Sequence, residues 1–67
     1  MITIELNGEP YKIEEQARLA ELIEGLNLSR GRIAVEINLA VVPKAEYEQR
    51  VLKPGDKVEI INFVGGG

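Results

Sequence analysis

"RLAELIEGLNL", residues 18–28, is where the hydrophobic period of the chain changes. Leu19, Leu22, Ile23 and Leu26 stand at i, i+3, i+4 and i+7, one stripe of an amphipathic helix. Glu15, Glu21 and Glu24 line its other sides. No Ser, Thr, Asp or Asn stands at the expected N-cap, although acidic residues near the start suit the positive end of the helix dipole. Gly25 costs about 1 kcal/mol relative to Ala inside a helix. The spacing therefore predicts an end near Asn27 and a loop over "SRGR", 29–32.

On both sides of this stretch the period is two. Ile2, Ile4 and Leu6 alternate with Thr3 and Glu5, the pattern of a half-buried strand. Asn7-Gly8 tolerates the positive φ of a hairpin turn, and a return strand over about Pro10–Glu14 follows. Pro10 suits only its start or an edge position. After the helix, Ile33, Val35 and Ile37 share one face of a third strand. The chain then turns near Asn38 and runs extended to Pro43. "KAEYEQRVL", 44–52, predicts a helical turn with Tyr47 and either Val51 or Leu52 inward. "KPGD", 53–56, is a turn, and "KVEIINF", 57–63, is the last strand. Val58, Ile60 and Asn62 fall on one of its faces; Glu59, Ile61 and Phe63 fall on the other.

One amphipathic helix among these strands implies an α+β domain, a mixed four- to five-stranded sheet packed on a single helix. The right-handed crossover rule favours a β-grasp arrangement, with the first and last strands parallel neighbours in the middle. The helix stripe should then meet Ile2, Ile4, Leu6, Ile33, Val35, Val58 and Ile60. Ile61 and Phe63 are left on the open face, where an exposed apolar cluster suits a partner. The other reading is that Phe63 caps the end of the core.

The chain has 67 residues, 45% hydrophobic and 28% charged, with a net charge of -3. That size suits one domain, which buries roughly 60% of the surface its unfolded chain exposes. The expected division is residues 1–64 as the domain and 65–67 as a flexible glycine tail. The negative charge and the lack of a basic patch argue against nucleic acid. No apolar run nears the ~18 residues of a membrane span, and no signal-peptide pattern opens the chain. The expectation is a cytoplasmic protein that does not engage a membrane. There is no Cys and no His. That removes disulfides, thiolate nucleophiles, the commonest general base and the usual zinc ligands. No metal site and no bound cofactor are expected, and an enzyme in its own right is disfavoured.

The sequence ends "NFVGGG", residues 62–67. A glycine end can be a disordered terminus or an expression remnant. It can also be a tool. Glycine has no Cβ, so its backbone can enter a channel too narrow for a side chain. Three or four extended residues reach ~10–14 Å beyond the sheet. Ordering them costs of order 1–2 kcal/mol per residue, which contacts on the folded body must offset.

"LNGEP", "LAELIEGL", "VEINLAVVPKAEYEQRVLKPGDKVEIINFVGGG" and the terminal Gly66-Gly67 together resemble the ThiS-type sulfur carriers of thiamine thiazole biosynthesis, within the ubiquitin-like β-grasp superfamily. The resemblance covers essentially the whole chain. Family members often carry Arg and Trp where this sequence has Lys44 and Tyr47. The resemblance implies that the Gly67 carboxylate, on the Gly65–Gly66 tail, is the reactive group. An adenylating, ThiF-like partner would activate it with ATP. A persulfide derived from a cysteine desulfurase would supply sulfur. A ThiG-like thiazole synthase would receive it from the thiocarboxylate. Ile61, Phe63 and Val64 would contact partners. The carrier would be a protein-sized substrate without catalytic side chains of its own. The small subunit of molybdopterin synthase shares this fold, end and chemistry, and a non-reactive β-grasp interaction module is a further reading. Individually, Gly55 and Asp56 read as a turn, Lys44 and Arg50 as solvated charges, and Tyr47 as packing.

Overall fold

The structure is a computed structural model in which residues 1–63 are described. Strand β1 (Ile2–Leu6) pairs antiparallel with β2 (Glu9–Ile13). Helix α1 (Leu19–Gly25) crosses one face. A 3-10 turn (Arg30–Arg32) leads into β3 (Ile33–Ile37), then β4 (Ala40–Val41). A second 3-10 turn (Lys44–Glu46) precedes β5 (Lys57–Asn62). The sheet has five strands in the order β2-β1-β5-β3-β4, with β5 central, parallel to β1 and antiparallel to β3. This is the β-grasp architecture that the alternating and helical periods predict.

The core forms between α1 and one face of the sheet. Leu19, Leu22 and Ile23 of the helix stripe are buried, together with Ile4, Ile33, Val35, Ile37 and Val58; Ile2, Leu6, Leu26 and Ile60 pack at its margin. Ala20, Ile13 and Val42 complete it. Of the two inward candidates near the second 3-10 turn, Leu52 is buried and Val51 faces out. Tyr47 is 1% exposed. Burial raises its phenol above the ordinary 10.0, opposed by the nearby Arg30 guanidinium.

Helix α1 ends beside Asn27, as the spacing predicts. Asn27 takes a positive φ of 59°. Its N–H donates to the Glu24 carbonyl at 3.0 Å, and the Leu28 N–H donates to the Ile23 carbonyl at 3.2 Å. These are the paired bonds of a Schellman cap, with Asn in the left-handed position. At the other end the Glu21 carboxylate accepts from the Arg18 N–H at 2.8 Å. The free donors of the first turn are met by a distant loop. Leu19 N–H donates to the Arg50 carbonyl (2.8 Å) and Ala20 N–H to the Tyr47 carbonyl (2.9 Å).

The β3–β4 turn holds Asn38 and Leu39 at φ 53° and 72°. Positive φ at both central residues is the type I′ pattern, natural for Asn and strained for a branched side chain. Leu39 is also 90% exposed, so no burial compensates that strain. Leu39→Gly is expected to stabilise the fold by about 0.5–1 kcal/mol, raising Tm by a few degrees in a calorimetric scan. An unchanged or lower Tm would show that the leucine is held by contacts.

Candidate functional site

Of the predicted site residues, Ile61 and Phe63 are among the described ones, at the end of β5. Its start is held by side chains as well as by the ladder. The Asp56 carboxylate accepts from the Lys53 N–H (2.9 Å) and from the Asn38 amide (3.1 Å), and the Asn38 amide oxygen accepts from the Lys57 N–H (3.0 Å). Gly55 sits at φ 82°, and its N–H donates to the Thr3 carbonyl at 2.9 Å. The turn reading of Gly55 and Asp56 is therefore correct. Further along, the Asn7 amide oxygen accepts from the Ile60 N–H at 2.8 Å. It continues the β1–β5 ladder after β1 has turned away. Asn7 and Asn38 thus position the last strand. The sequence predicts turns at Asn7-Gly8 and near Asn38, but nothing there assigns these side chains to β5.

Beyond Ile60 the apolar residues face outward. Ile61 is 50% exposed and Phe63 53% exposed, on the face opposite the helix. Phe63 does not close the core, so the capping alternative does not hold. Its N–H donates to the Arg32 carbonyl at 2.6 Å, which carries the β3–β5 ladder to the last described residue. Val64, Gly65, Gly66 and Gly67 lie outside the described residues, and with them the predicted tail. Lys44 is exposed, as expected of a solvated charge, and makes one contact besides. Its ammonium donates to the Ile33 carbonyl at 3.3 Å, tying the second 3-10 turn to the start of β3. Arg50 is half-buried.

One surface hollow, of about 420 Å³, is lined by Asn38, Gln49, Arg50, Val51, Lys53 and Asp56. Another, of about 330 Å³, is lined by Leu6, Asn7, Leu26, Leu28, Ile60 and Asn62, at the end of the sheet where β5 leaves. Among the described residues no helix is long and apolar enough to cross a membrane.

A five-stranded mixed sheet grasping one helix, with its central C-terminal strand ending beside an exposed apolar pair, defines a ubiquitin-like β-grasp domain. A family model described as the ThiS family matches residues 4–67. The chain is 31% identical over 65 residues to the sulfur carrier protein ThiS of Bacillus subtilis, covering 96% of this chain and 98% of that protein. It is 42% identical over 64 residues to a thiazole synthase of Magnetococcus marinus, covering 96% of this chain but 20% of that protein's length. Among solved structures, the crystal structure of thiamine biosynthesis protein ThiS from Geobacter metallireducens matches with a TM-score of 0.83 at 29% identity, covering 98% of this chain and 100% of that one. The chain belongs to the ThiS family, the sulfur carriers of thiamine biosynthesis.

Proposed function

We propose that this chain carries sulfur as a thiocarboxylate on Gly67, with residues 1–64 as the docking body and 65–67 as the arm that enters partner sites. The observation that supports this most directly is the course of β5. It is the central strand, pinned at both ends, and its ladder runs to Phe63, four residues before Gly67 in the sequence. Four extended residues reach ~13–14 Å.

A carboxylate resists nucleophiles because its charge repels them and oxide is a poor leaving group. A ThiF-like partner replaces that leaving group with AMP, using ATP and releasing pyrophosphate. The terminal sulfur of a partner persulfide, derived from a cysteine desulfurase, then attacks the acyl carbon and AMP departs. A thiol reductant cleaves the resulting acyl disulfide and leaves the thiocarboxylate. The carrier is the substrate in each step, so it needs no catalytic side chain. A ThiG-like thiazole synthase accepts the sulfur. That choice of acceptor is supported by the thiazole synthases of Magnetococcus marinus and Paramagnetospirillum magneticum, in which a segment similar to this chain makes up 20% and 19% of the protein. The same relatives favour thiazole synthesis over the molybdopterin reading. The test is intact mass after incubation with ATP, a ThiF-like enzyme and a persulfide source. A gain matching exchange of one oxygen for sulfur is expected; an unchanged mass favours a non-reactive module.

Ile61, Phe63 and Val64 are assigned to partner contact. Burying a Phe side chain is worth roughly 1.5–3 kcal/mol, comparable to the ordering of one or two glycines. Phe63→Asp is expected to leave the urea midpoint nearly unchanged while weakening binding to the adenylating enzyme by roughly tenfold or more. Loss of several kcal/mol of folding stability with normal binding by the folded fraction would make Phe63 a structural residue.

A further inference from the structure

The far edge of the sheet, two strands away from β5, carries features that the sulfur chemistry does not use. Strand β2 has no neighbour on its outer side. The Thr3 carbonyl and the Glu5 and Asn7 N–H groups bond to Gly55, Asp56 and Val58. The backbones of Ile2, Ile4 and Leu6 therefore turn the other way, toward their partners Ile13, Tyr11 and Glu9. That leaves the backbone of Pro10 and Lys12 pointing outward. Lys12 offers an N–H and a carbonyl; Pro10 offers a carbonyl alone. Side chains alternate along this edge. Tyr11 and Ile13 pack on the helix side, and Lys12 is exposed on the other.

Between β2 and α1 lies a groove of about 270 Å³, whose lining includes Tyr11, Ile13, Ala17, Leu22 and Gly25. Gly25 is its unusual member. Glycine is the poorest helix former after proline. Here it stands inside α1 without a positive φ, and the left-handed cap falls on Asn27 instead. A Cβ at Gly25 would meet nothing within 4 Å. Neither backbone conformation nor packing within the fold calls for glycine at this position. An occupant of the groove does, because any larger side chain would fill the space it needs.

We infer that this edge and groove are a docking site for an extended segment of a protein partner, added antiparallel to β2. The register specifies its chemistry. The partner residue opposite Lys12 exchanges both backbone bonds with it and carries a carboxylate beside the ammonium. The residues on either side of it turn toward the helix and are apolar. The residue opposite Glu14 is a cation. From its N-terminus the segment thus reads cation, apolar, acid, apolar. Glu21 also lines the groove, but its carboxylate is bound to the Arg18 N–H at 2.8 Å. A second copy of the chain does not fit. Pairing Lys12 with Lys12 sets like charges opposite each other, and sliding the copy to Pro10 loses an N–H. The chain's own end does not reach. Counted through the Leu6–Val58 rung, Tyr11 and Phe63 stand roughly 23 Å apart along the sheet, and the four residues after Phe63 span at most ~14 Å. The site therefore holds the protein by its far edge while the glycine end stays free. It does not depend on the chemistry assigned to Gly67.

The experiment is an NMR titration of the full chain with the capped peptide Gly-Lys-Val-Asp-Val-Thr-Gly and with the same peptide after exchange of its Lys and Asp, alongside thermal denaturation and sedimentation. The first peptide is expected to shift the amide signals of Tyr11, Lys12, Ile13 and Gly25 and to slow hydrogen exchange at the Lys12 N–H. The exchanged peptide should bind about fivefold more weakly at low salt, and Lys12→Glu should abolish that preference. Gly25→Ala is expected to raise Tm by a few degrees. Gly25→Leu should keep a Tm no lower than wild type and weaken peptide binding by about tenfold or more. Wild-type binding by Gly25→Leu would overturn the inference, as would a lower Tm in both Gly25 variants or equal binding of the two peptides. So would shifts gathered on β3 and β5, no shifts at millimolar peptide, or a dimer joined through β2.

Discussion

Deleting Gly67, or appending one residue after it, is expected to lower thiocarboxylate formation by more than ~100-fold while Tm stays within about 1 °C of wild type. The argument is one of distance. The docked body fixes where β5 ends, and each residue beyond it adds ~3.3–3.6 Å. A carboxylate displaced by one residue misses the nucleotide by several times the ~1 Å that already costs on the order of 100-fold in rate. The fold should not register the change, because its buried core runs from Ile4 to Val58. Intact mass with the adenylating enzyme, ATP and a persulfide donor reads the chemistry, and circular dichroism reads the fold. Thiocarboxylate formed at the wild-type rate on an extended, untrimmed chain would overturn the carrier reading. Because the body is untouched, binding to the enzyme should fall far less than turnover.

Tyr47→Ala is expected to have the largest effect on stability. Tyr47 is among the largest fully buried side chains, and its backbone carbonyl accepts the Ala20 N–H at 2.9 Å. Truncating a buried aromatic residue to Ala costs about 3–5 kcal/mol. A domain of this length has only ~3–10 kcal/mol of stability in total. Tm should therefore fall by ~15 °C or more, with a corresponding shift of the urea midpoint. Tyr47→Phe keeps the ring and should cost less than about 1 kcal/mol. A fall of under ~5 °C for Tyr47→Ala would mean that the loop over α1 contributes little to the fold. The loop has a second task, since its carbonyls cap the helix, so collapse of this corner should fray α1 as well as the loop.

The elements themselves were legible because burial imposes a period. Ile2-Ile4-Leu6 and Ile33-Val35-Ile37 alternate because one face of each strand meets the helix, and Leu19-Leu22-Ile23-Leu26 repeats at helical spacing for the same reason. Asn7-Gly8 and Pro54-Gly55 mark turns because their backbones accept the conformations turns need, positive φ among them. The outward placement of Ile61 and Phe63 also follows from alternation, given that Val58 and Ile60 face the core. Val51 and Leu52 could not be separated, because they lie in an irregular segment after the 3-10 turn, with no sustained period to decide which neighbour points inward.

By itself the sequence determined four strands and an extended piece after Asn38, the helix, the side on which they pack and the apolar pair beside the glycine end. Each of these is written in local spacing, and local spacing survives in one dimension. The tertiary structure decided how the polar ends are satisfied. Arg18 stands where a Ser or Asp would cap α1, and the helix still starts there because the Tyr47 and Arg50 carbonyls, far along the chain, accept its first free N–H groups. In the same way Asn7 bonds Ile60, and Asn38 bonds Lys57 and Asp56. A hydrogen bond between residues distant in sequence leaves no periodic trace. It exists only once the sheet has brought the two groups within about 3 Å of each other.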